Sequence, residues 1–321
     1  MHQKTWILSD FTGKTTDGKR ALEIMKRIFE YQIPPTDSGL SIEAFLRSRG
    51  YSRHILTHLK RTENGICKNG EWTYTNQCLA AGDLLTVTLL EEASSENIVP
   101  VPMPLSIVYE DEDLMVLDKP ADTPIHPSMN NHENTLANGI AWYFSSRNIP
   151  FVYRCINRLD RDTTGLLIIA KHMYSAALLS RMSANREIHR EYLAIAAGSV
   201  PESGTIDAPI ARRNGSAIER CVDFVSGERA VTHFHREWEK DGFSLVRLKL
   251  ETGRTHQIRV HMRYIGHPLA GDFLYSSDFP EAQKRMQRQA LHSHCLHFFH
   301  PVTQKELRFL SPLPQDMRWI L

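Results

Sequence analysis

The run Asn157-Arg158-Leu159-Asp160-Arg161-Asp162-Thr163-Thr164-Gly165 is dense in charge and leads straight into the apolar stretch Leu166 to Ala170. A segment of this kind makes a poor core and a good holder for one carboxylate. Asp160 stands between the guanidinium groups of Arg158 and Arg161, at what reads as a strand edge. A carboxylate flanked by cations keeps its charge and its direction, as a nucleophile or a base requires. The ordinary fate of a lone aspartate is a turn or a loop ion pair, so further residues must decide the matter.

Two other stretches complete a pattern. One is Asp118-Lys119-Pro120 followed by His126-Pro127. The other is Glu251-Thr252-Gly253-Arg254-Thr255-His256-Gln257-Ile258-Arg259-Val260-His261, continued by Gly266-His267-Pro268 and Gly271-Asp272. With Asn157 to Lys171, these resemble the three signature stretches of the RluA-type RNA pseudouridine synthases, in order, over roughly residues 105 to 321. The chain departs from that family where Asn157 replaces a histidine, Thr164 a serine, Asp118 an asparagine and Asp122 a glycine. The first two substitutes still hydrogen-bond, so support at those positions is expected to survive. The last two bear on substrate choice more than on activity.

The resemblance implies a reaction. Uridine becomes pseudouridine when the bond from ribose C1′ to uracil N1 breaks, the base turns, and C1′ joins C5. No electrons are gained or lost, so no metal or cofactor is implied. By resemblance Asp160 is the catalytic carboxylate, in either of two roles: attack on the ribose carbon or removal of a ribose proton. Arg259 is its basic partner, and Tyr192 stacks on the target base and assists proton transfer. Arg158 fills the gap left by a flipped uridine, because chemistry on a base requires its extrusion or a single-stranded loop. Ile258 packs against the base, Arg254 meets phosphate or braces its loop, and Lys119 shapes a neighbouring loop at the substrate site. Taken singly, Tyr192 would be a core tyrosine, Arg259 a helix-surface ion pair and Arg158 a partner for Asp162.

These groups need elements to carry them. Strands are expected at Ser106–Tyr109, Leu114–Leu117, Gly165–Ala170, Arg190–Ala197, Ala230–Trp238 and Phe243–Leu250, with Asp241-Gly242 turning the last hairpin. Helical periodicity covers Thr135–Ser146, Met173–Asn185 and Thr255–Tyr264. Hairpins mixed with separate helices predict an α+β fold with a mainly antiparallel sheet, of pseudouridine synthase type, over 105–321. No G-x-G-x-x-G or P-loop is present, so a nucleotide cofactor has no support.

Residues 39–90 read as a separate small unit. Ser41 and Ser52 cap two short helices, Asn69-Gly70 turns a hairpin, and Ala81-Gly82-Asp83 precedes the strand Leu84–Leu89. This order resembles the small α+β S4-type RNA-binding domain. Arg47, Arg53, Lys60 and Arg61 would form its RNA face; between Ser41 and Cys78 six basic residues oppose three acidic ones, a local excess of +3. A solvated basic helical face is the bland alternative. Glu91–Pro104, rich in Glu, Ser and Pro, is expected to be an extended linker. Residues 1–38 form an extension without a functional assignment, with Ala21–Tyr31 patterned as a short helix before Pro34-Pro35.

The whole chain of 321 residues has 41% hydrophobic and 23% charged residues and a net charge of +1. Bulk charge therefore does not announce a nucleic-acid binder. No apolar run is long enough to cross a membrane and no secretory signal is evident. Five scattered cysteines without a C-x-x-C pair argue against a disulfide framework and for a reducing, cytoplasmic setting. His292, His294, His297, His300 and Cys295 lie within nine residues and invite zinc. Their crowding on one strand suits a tetrahedral site badly, and the stretch resembles the family's C-terminal strand, so a structural role is expected and no metal. The reading is an RNA pseudouridine synthase acting on ribosomal RNA, with transfer RNA as a second substrate class. Its rivals are an RNA-binding or ribosome-assembly factor and a metal-dependent RNA hydrolase.

Overall fold

The structure, a computed structural model, describes residues 25–128 and 131–321. A small α+β unit comes first. It contains β1 (Met25–Gln32), α1 (Ile42–Ser48), α2 (Arg53–Arg61), β2 (Ile66–Lys68), β3 (Glu71–Trp72) and β4 (Leu84–Glu91), the strands ordered β1-β4-β2-β3. Ser41 accepts the Ala44 N–H and Ser52 the Ile55 N–H, so both helices start at the expected caps. Asn69 and Gly70 both adopt positive φ and join Lys68 to Glu71 in a two-residue hairpin.

One expectation is corrected here. The described part of Ala21–Tyr31 is a strand, not a helix, while residues 21–24 lie outside the described residues. Met25–Gln32 pairs antiparallel with β4 along its whole length. Its burial alternates, with Phe29 buried between exposed Ile28 and Glu30. A short run with apolar residues at 22, 25, 28 and 29 satisfies helical spacing, but partnering with β4 outweighs so weak a local signal. The strand therefore brings part of the presumed N-terminal extension into the sheet of the small unit.

The large unit follows. Its elements are β5 (Ile107–Glu110), β6 (Leu114–Lys119), α3 (Leu136–Ser145), β7 (Thr164–Ala170), α4 (Met173–Ala184), β8 (His189–Ala197), β9 (Ser203–Asp207), β10 (Ile210–Arg212), β11 (Arg220–Val222), β12 (Val231–Lys240), β13 (Phe243–Leu250), α5 (Gln257–Tyr264), α6 (Pro280–Arg285), β14 (Leu291–Phe299) and β15 (Glu306–Leu310). Nine strands form one sheet in the order β5-β6-β7-β14-β8-β13-β12-β9, with β15 also on β14; β10 and β11 make a separate ribbon. All pairings are antiparallel except β14 with β7. The expected fold class, α+β on a mainly antiparallel sheet, is the one observed.

The centre of the sheet is buried on both faces. Met115, Leu117, Leu167 and Ile169 share a core with α3, whereas Leu114, Val116, Leu166 and Ile168 pack on the opposite side with Leu179 and Met182 of α4. Each such side chain contributes about 1.5–3 kcal/mol by leaving water. That two-sided burial makes the start of β7 a rigid platform. The glycine of the charged run has a packing reason: at φ 106°, Gly165 lies so close to β14 that a Cβ would stand 2.3 Å from the Ser293 carbonyl oxygen.

The two units are joined by contacts as well as by chain. Tyr51 stacks on Tyr174 of α4 at 4.0 Å, and the Tyr174 hydroxyl donates to the Arg49 carbonyl. Arg27 of β1 holds buried Asp113 at 2.8 Å. Glu91 accepts from Arg154 and from the Met173 N–H. Beyond β4, residues 92–104 form no helix or strand, and the segment is tied down. Ser94 and Ser95 accept the N–H groups of Phe151 and Tyr153, and Asn138 donates to Val99.

Candidate active site

Asp160 lies in the loop that enters β7, and the loop is held by its own carbonyls. Lys119, at the end of β6, is 1% exposed. Its ammonium donates to the carbonyls of Arg161 at 2.6 Å, Pro120 at 2.7 Å and Thr123 at 3.0 Å. Burial pushes this ammonium down to about 7, with Asp162 and Asp160 opposing the fall. Arg288, anchored on Asp316 at 2.7 Å, donates to the Asp162 carbonyl. Asn157 accepts the Ile168 N–H at 2.9 Å and Thr164 meets His292 Nδ1 at 2.9 Å, so both departures from the family pattern keep a hydrogen-bonding task.

The guanidinium that holds Asp160 is not one of its sequence neighbours. Arg161 pairs with Asp162 at 2.9 Å and faces Asp122, and Arg158 reaches Thr255 at 3.4 Å. The expected clamp of Arg158 and Arg161 on Asp160 is therefore replaced. Arg161 sits in a turn beside Asp162, and Arg158 turns to Thr255, so neither is spent on Asp160. Arg259, in the first turn of α5, donates to Asp160 Oδ2 at 3.0 Å. Its other face makes a two-point pair with Asp272 at 2.7 and 2.8 Å. Asp272 is fully buried and Arg259 nearly so. Burial works against the Arg259 charge; hydrogen bonding and attraction from Asp272, then Asp160, overcome it and raise its pKa. Gly271, at φ 68° and packed against the Arg288 carbonyl, sets the turn that delivers Asp272.

The helix start is built as firmly. The Gln257 side chain accepts from Thr252 and the Arg254 N–H and donates to the Val231 carbonyl and Thr232. His256 precedes it at φ 58° and joins the Tyr275 hydroxyl at 2.8 Å. The cavity in front of Asp160 has a volume of about 870 Å³. Its apolar lining includes Ile125, Leu159, Tyr192, Ile258 and Leu291, and its arginines are Arg158, Arg186, Arg190, Arg254 and Arg259. An open slot with apolar side chains among its walls and a cationic rim suits a flat base on a phosphate-bearing chain.

A family model described as RNA pseudouridylate synthase matches residues 113–264. The uncharacterized RNA pseudouridine synthase YjbO of Bacillus subtilis (strain 168) is 41% identical over 279 residues, 87% of this chain and 97% of that protein. The chain belongs to the RNA pseudouridine synthase family. Ribosomal large subunit pseudouridine synthase D of Escherichia coli (strain K12) is 40% identical over 239 residues, covering 71% of this chain and 72% of its own. Among solved structures, human RNA Pseudouridylate Synthase Domain Containing 1 superposes with TM-score 0.54 at 28% identity, over 65% of this chain and 83% of that one.

In this pseudouridine synthase the site residues expected from sequence divide into three groups. Asp160, Arg259, Tyr192, Ile258, Arg158 and Arg254 all line the one cavity. Tyr192, on β8, is 5% exposed, and burial raises its phenol pKa. Arg254 is braced on the Arg229 carbonyl and on Glu228 at the rim. Lys119 does not line the cavity; its three protons go to carbonyls of the Asp160 loop and its neighbour, because a buried ammonium needs acceptors on every side. Arg47, Arg53, Lys60 and Arg61 lie far along the chain on the small unit, where Arg47 and Lys60 both bind Glu43, at 3.0 and 3.1 Å. Asp272, His256 and Tyr275 gain importance only in three dimensions. His256 and Asp272 stood inside the quoted motifs, whereas nothing local marked Tyr275.

The histidines of β14, and His300 just beyond it, end on protein groups. His292 lies between Thr164 and the Ser311 carbonyl, His294 donates to the same carbonyl, His297 pairs with Glu306, and His300 faces Asp111 at 3.0 Å. Among the described residues the potential ligand atoms that come together are those of Asp111, Asp113 and His300. Asp113 there is already held by Arg27 and His172. Asp122, in the place of a family glycine, has φ 52°, a conformation aspartate tolerates better than most residues. No helix among the described residues is long and apolar enough to cross a membrane.

Proposed function

We propose that this synthase modifies uridine in large-subunit ribosomal RNA, with Asp160 as the reacting carboxylate. The observation that carries the catalytic assignment is the geometry of Asp160. One oxygen is fixed by buried Arg259, which is itself fixed by Asp272, beside a cavity lined by both apolar and charged side chains. A charge fixed in place stabilises a changing charge distribution without reorganisation. Arg259 orients the carboxylate, Tyr192 supplies the face on which the uracil stacks, Ile258 closes the other side of the slot, and Arg158 occupies the place vacated by the flipped base. Arg254 and the free side of the arginine rim take the flanking phosphates. The small unit acts as an S4-like RNA-binding domain through Arg53 and Arg61, joined by Arg47 and Lys60 when Glu43 releases them.

The ribosomal substrate is supported by the relatives named for the large ribosomal subunit, which align over most of both chains. The test uses RNA from cells lacking the protein, labelled with tritium at uracil C5. Release from large-subunit RNA and none from transfer RNA is expected; release from transfer RNA alone would overturn the substrate assignment.

A further inference from the structure

His256 has no task in the scheme above, yet it is held in a costly position. A non-glycine residue in the left-handed region is strained, and His256 accepts that conformation at the start of α5. Its side chain is 11% exposed. Nδ1 is 2.8 Å from the Tyr275 hydroxyl and Nε2 is 3.8 Å from Asp160 Oδ2.

The hydrogen-bond directions can be assigned. The Tyr275 oxygen accepts the Arg220 backbone N–H at 2.9 Å, so its own proton is free to go to His256 Nδ1. An imidazole that accepts at Nδ1 carries its proton on Nε2. That N–H faces Asp160. The ring is also kept neutral. Burial lowers its pKa; Asp160 from the β7 loop and Asp272 oppose the fall, while Arg259 of α5 and Arg220 of β11 add to it. Tyr275 further packs its ring against the Arg259 guanidinium at 5.0 Å, so one side chain braces both cationic and neutral partners of the carboxylate.

Both groups lie on the side of the same oxygen. Arg259 hydrogen-bonds Oδ2, His256 Nε2 stands 3.8 Å from it, beyond hydrogen-bond length, and among the described residues no protein hydrogen bond reaches Oδ1. We propose that His256 is a positioning residue, locked by Tyr275 as the Nε2–H tautomer. From Oδ2 it steers Asp160, so that Oδ1 is the oxygen presented to the ribose. This rests on the reading of Asp160 as the reacting carboxylate. Tyr275 acts one step further out, by choosing the tautomer.

The test is single-turnover tritium release by the full-length protein, with large-subunit ribosomal RNA transcribed from [5-³H]uridine triphosphate. RNA affinity is measured alongside by filter binding. His256→Phe removes the donor and is expected to slow release about 30- to 100-fold with affinity within about 2-fold, the scale of a lost orienting contact. His256→Asn tolerates the left-handed backbone but offers no donor at the ε position, and falls equally. His256→Gln restores an amide N–H near that position and recovers to within about 5-fold of wild type. Tyr275→Phe loses about 10-fold. Nitrogen NMR of wild type shows His256 protonated at Nε2 alone, and of Tyr275→Phe a tautomer mixture. A merely structural histidine would lower melting temperature and affinity together, with Gln no better than Phe. Wild-type rates in His256→Phe, or a proton on Nδ1 in the wild-type spectrum, would overturn the proposal. Loss of release already in wild type would instead remove the reading of Asp160 and its substrate, with the NMR assignment left to stand or fall separately.

Discussion

The Asp160 loop and the histidine-rich strand β14 are the two stretches of this chain richest in groups able to do chemistry, and they use them in opposite ways. Around Asp160, residues from the loop before β7, from β8 and from the start of α5 converge on one cavity, and one carboxylate oxygen is left unspent. Along β14 and at His300, the imidazoles end on protein carbonyl, hydroxyl or carboxylate groups, His292 and His294 sharing the Ser311 carbonyl. Density of reactive residue types is the same signal in both. What separates a site from a scaffold is convergence on shared space with a bonding valence still open.

The sharpest way to break that contrast is at Arg259. Arg259→Met leaves Asp272 charged and buried without a partner, a situation that costs about 3–5 kcal/mol. Urea midpoints should fall accordingly, and tritium release per folded molecule should drop more than about 100-fold. Arg259→Lys retains the charge but not the two-point geometry on Asp272. Near-wild-type rates in Lys would mean that charge alone suffices and would weaken the geometric account.

On β14 the expected effect is on stability. His292→Ala removes the imidazole partner of buried Thr164, while the Ser311 carbonyl keeps its bond from His294. Leaving a buried hydroxyl without that partner costs about 1–3 kcal/mol, readable as a lower melting temperature. The rate per folded molecule should stay within about 2-fold of wild type, with or without EDTA. A selective loss of rate, or rescue by zinc, would place chemistry on this strand after all.

A smaller effect joins the two regions. His256, His261 and His292 all have pKa values lowered by burial. His261 is clamped between Thr232 and the Ala208 carbonyl, an arrangement that fits a neutral ring. Unfolding returns each to about 6.5. Below that pH the unfolded chain binds more protons than the folded one, so stability declines as pH falls from about 6.5 and has no slope from these rings above about 7.5. Melting curves between pH 7.5 and 5.5 would show it. His261→Gln should flatten the decline; an unchanged slope would mean that these rings are not the source.

Much of the fold was legible because periodicity and turn chemistry agreed with it. The strands at 165–170, 190–197 and 243–250, the helices after Thr135 and His172, and the Asn69-Gly70 and Asp241-Gly242 turns follow from local pattern. Met25–Gln32 was misread because its spacing fits two periods and only the pairing with β4 decides between them. Short strands such as β10 and β11 carry too few residues for any period. Asp160 and its partner Arg259 were both legible from their motifs, by resemblance; the local charge pattern alone set Arg158 and Arg161 around Asp160 instead. Arg158 and Arg161 are near Asp160 in sequence, whereas Arg259 is brought to it by a sheet that closes over 99 positions of chain. Lys119 was legible as a motif residue but not as a buried brace, because burial depends on the β6–β7 pairing.

The most direct test of the central claim compares wild type with Asp160→Asn in tritium release from C5-labelled RNA, in EDTA. The substitution keeps size and hydrogen bonding and removes only the charge of one side chain. The account predicts release by wild type, undiminished by the chelator, and none above background by Asp160→Asn, with both proteins folded and binding RNA alike. Comparable release by Asp160→Asn, or loss of wild-type release in EDTA, would contradict it.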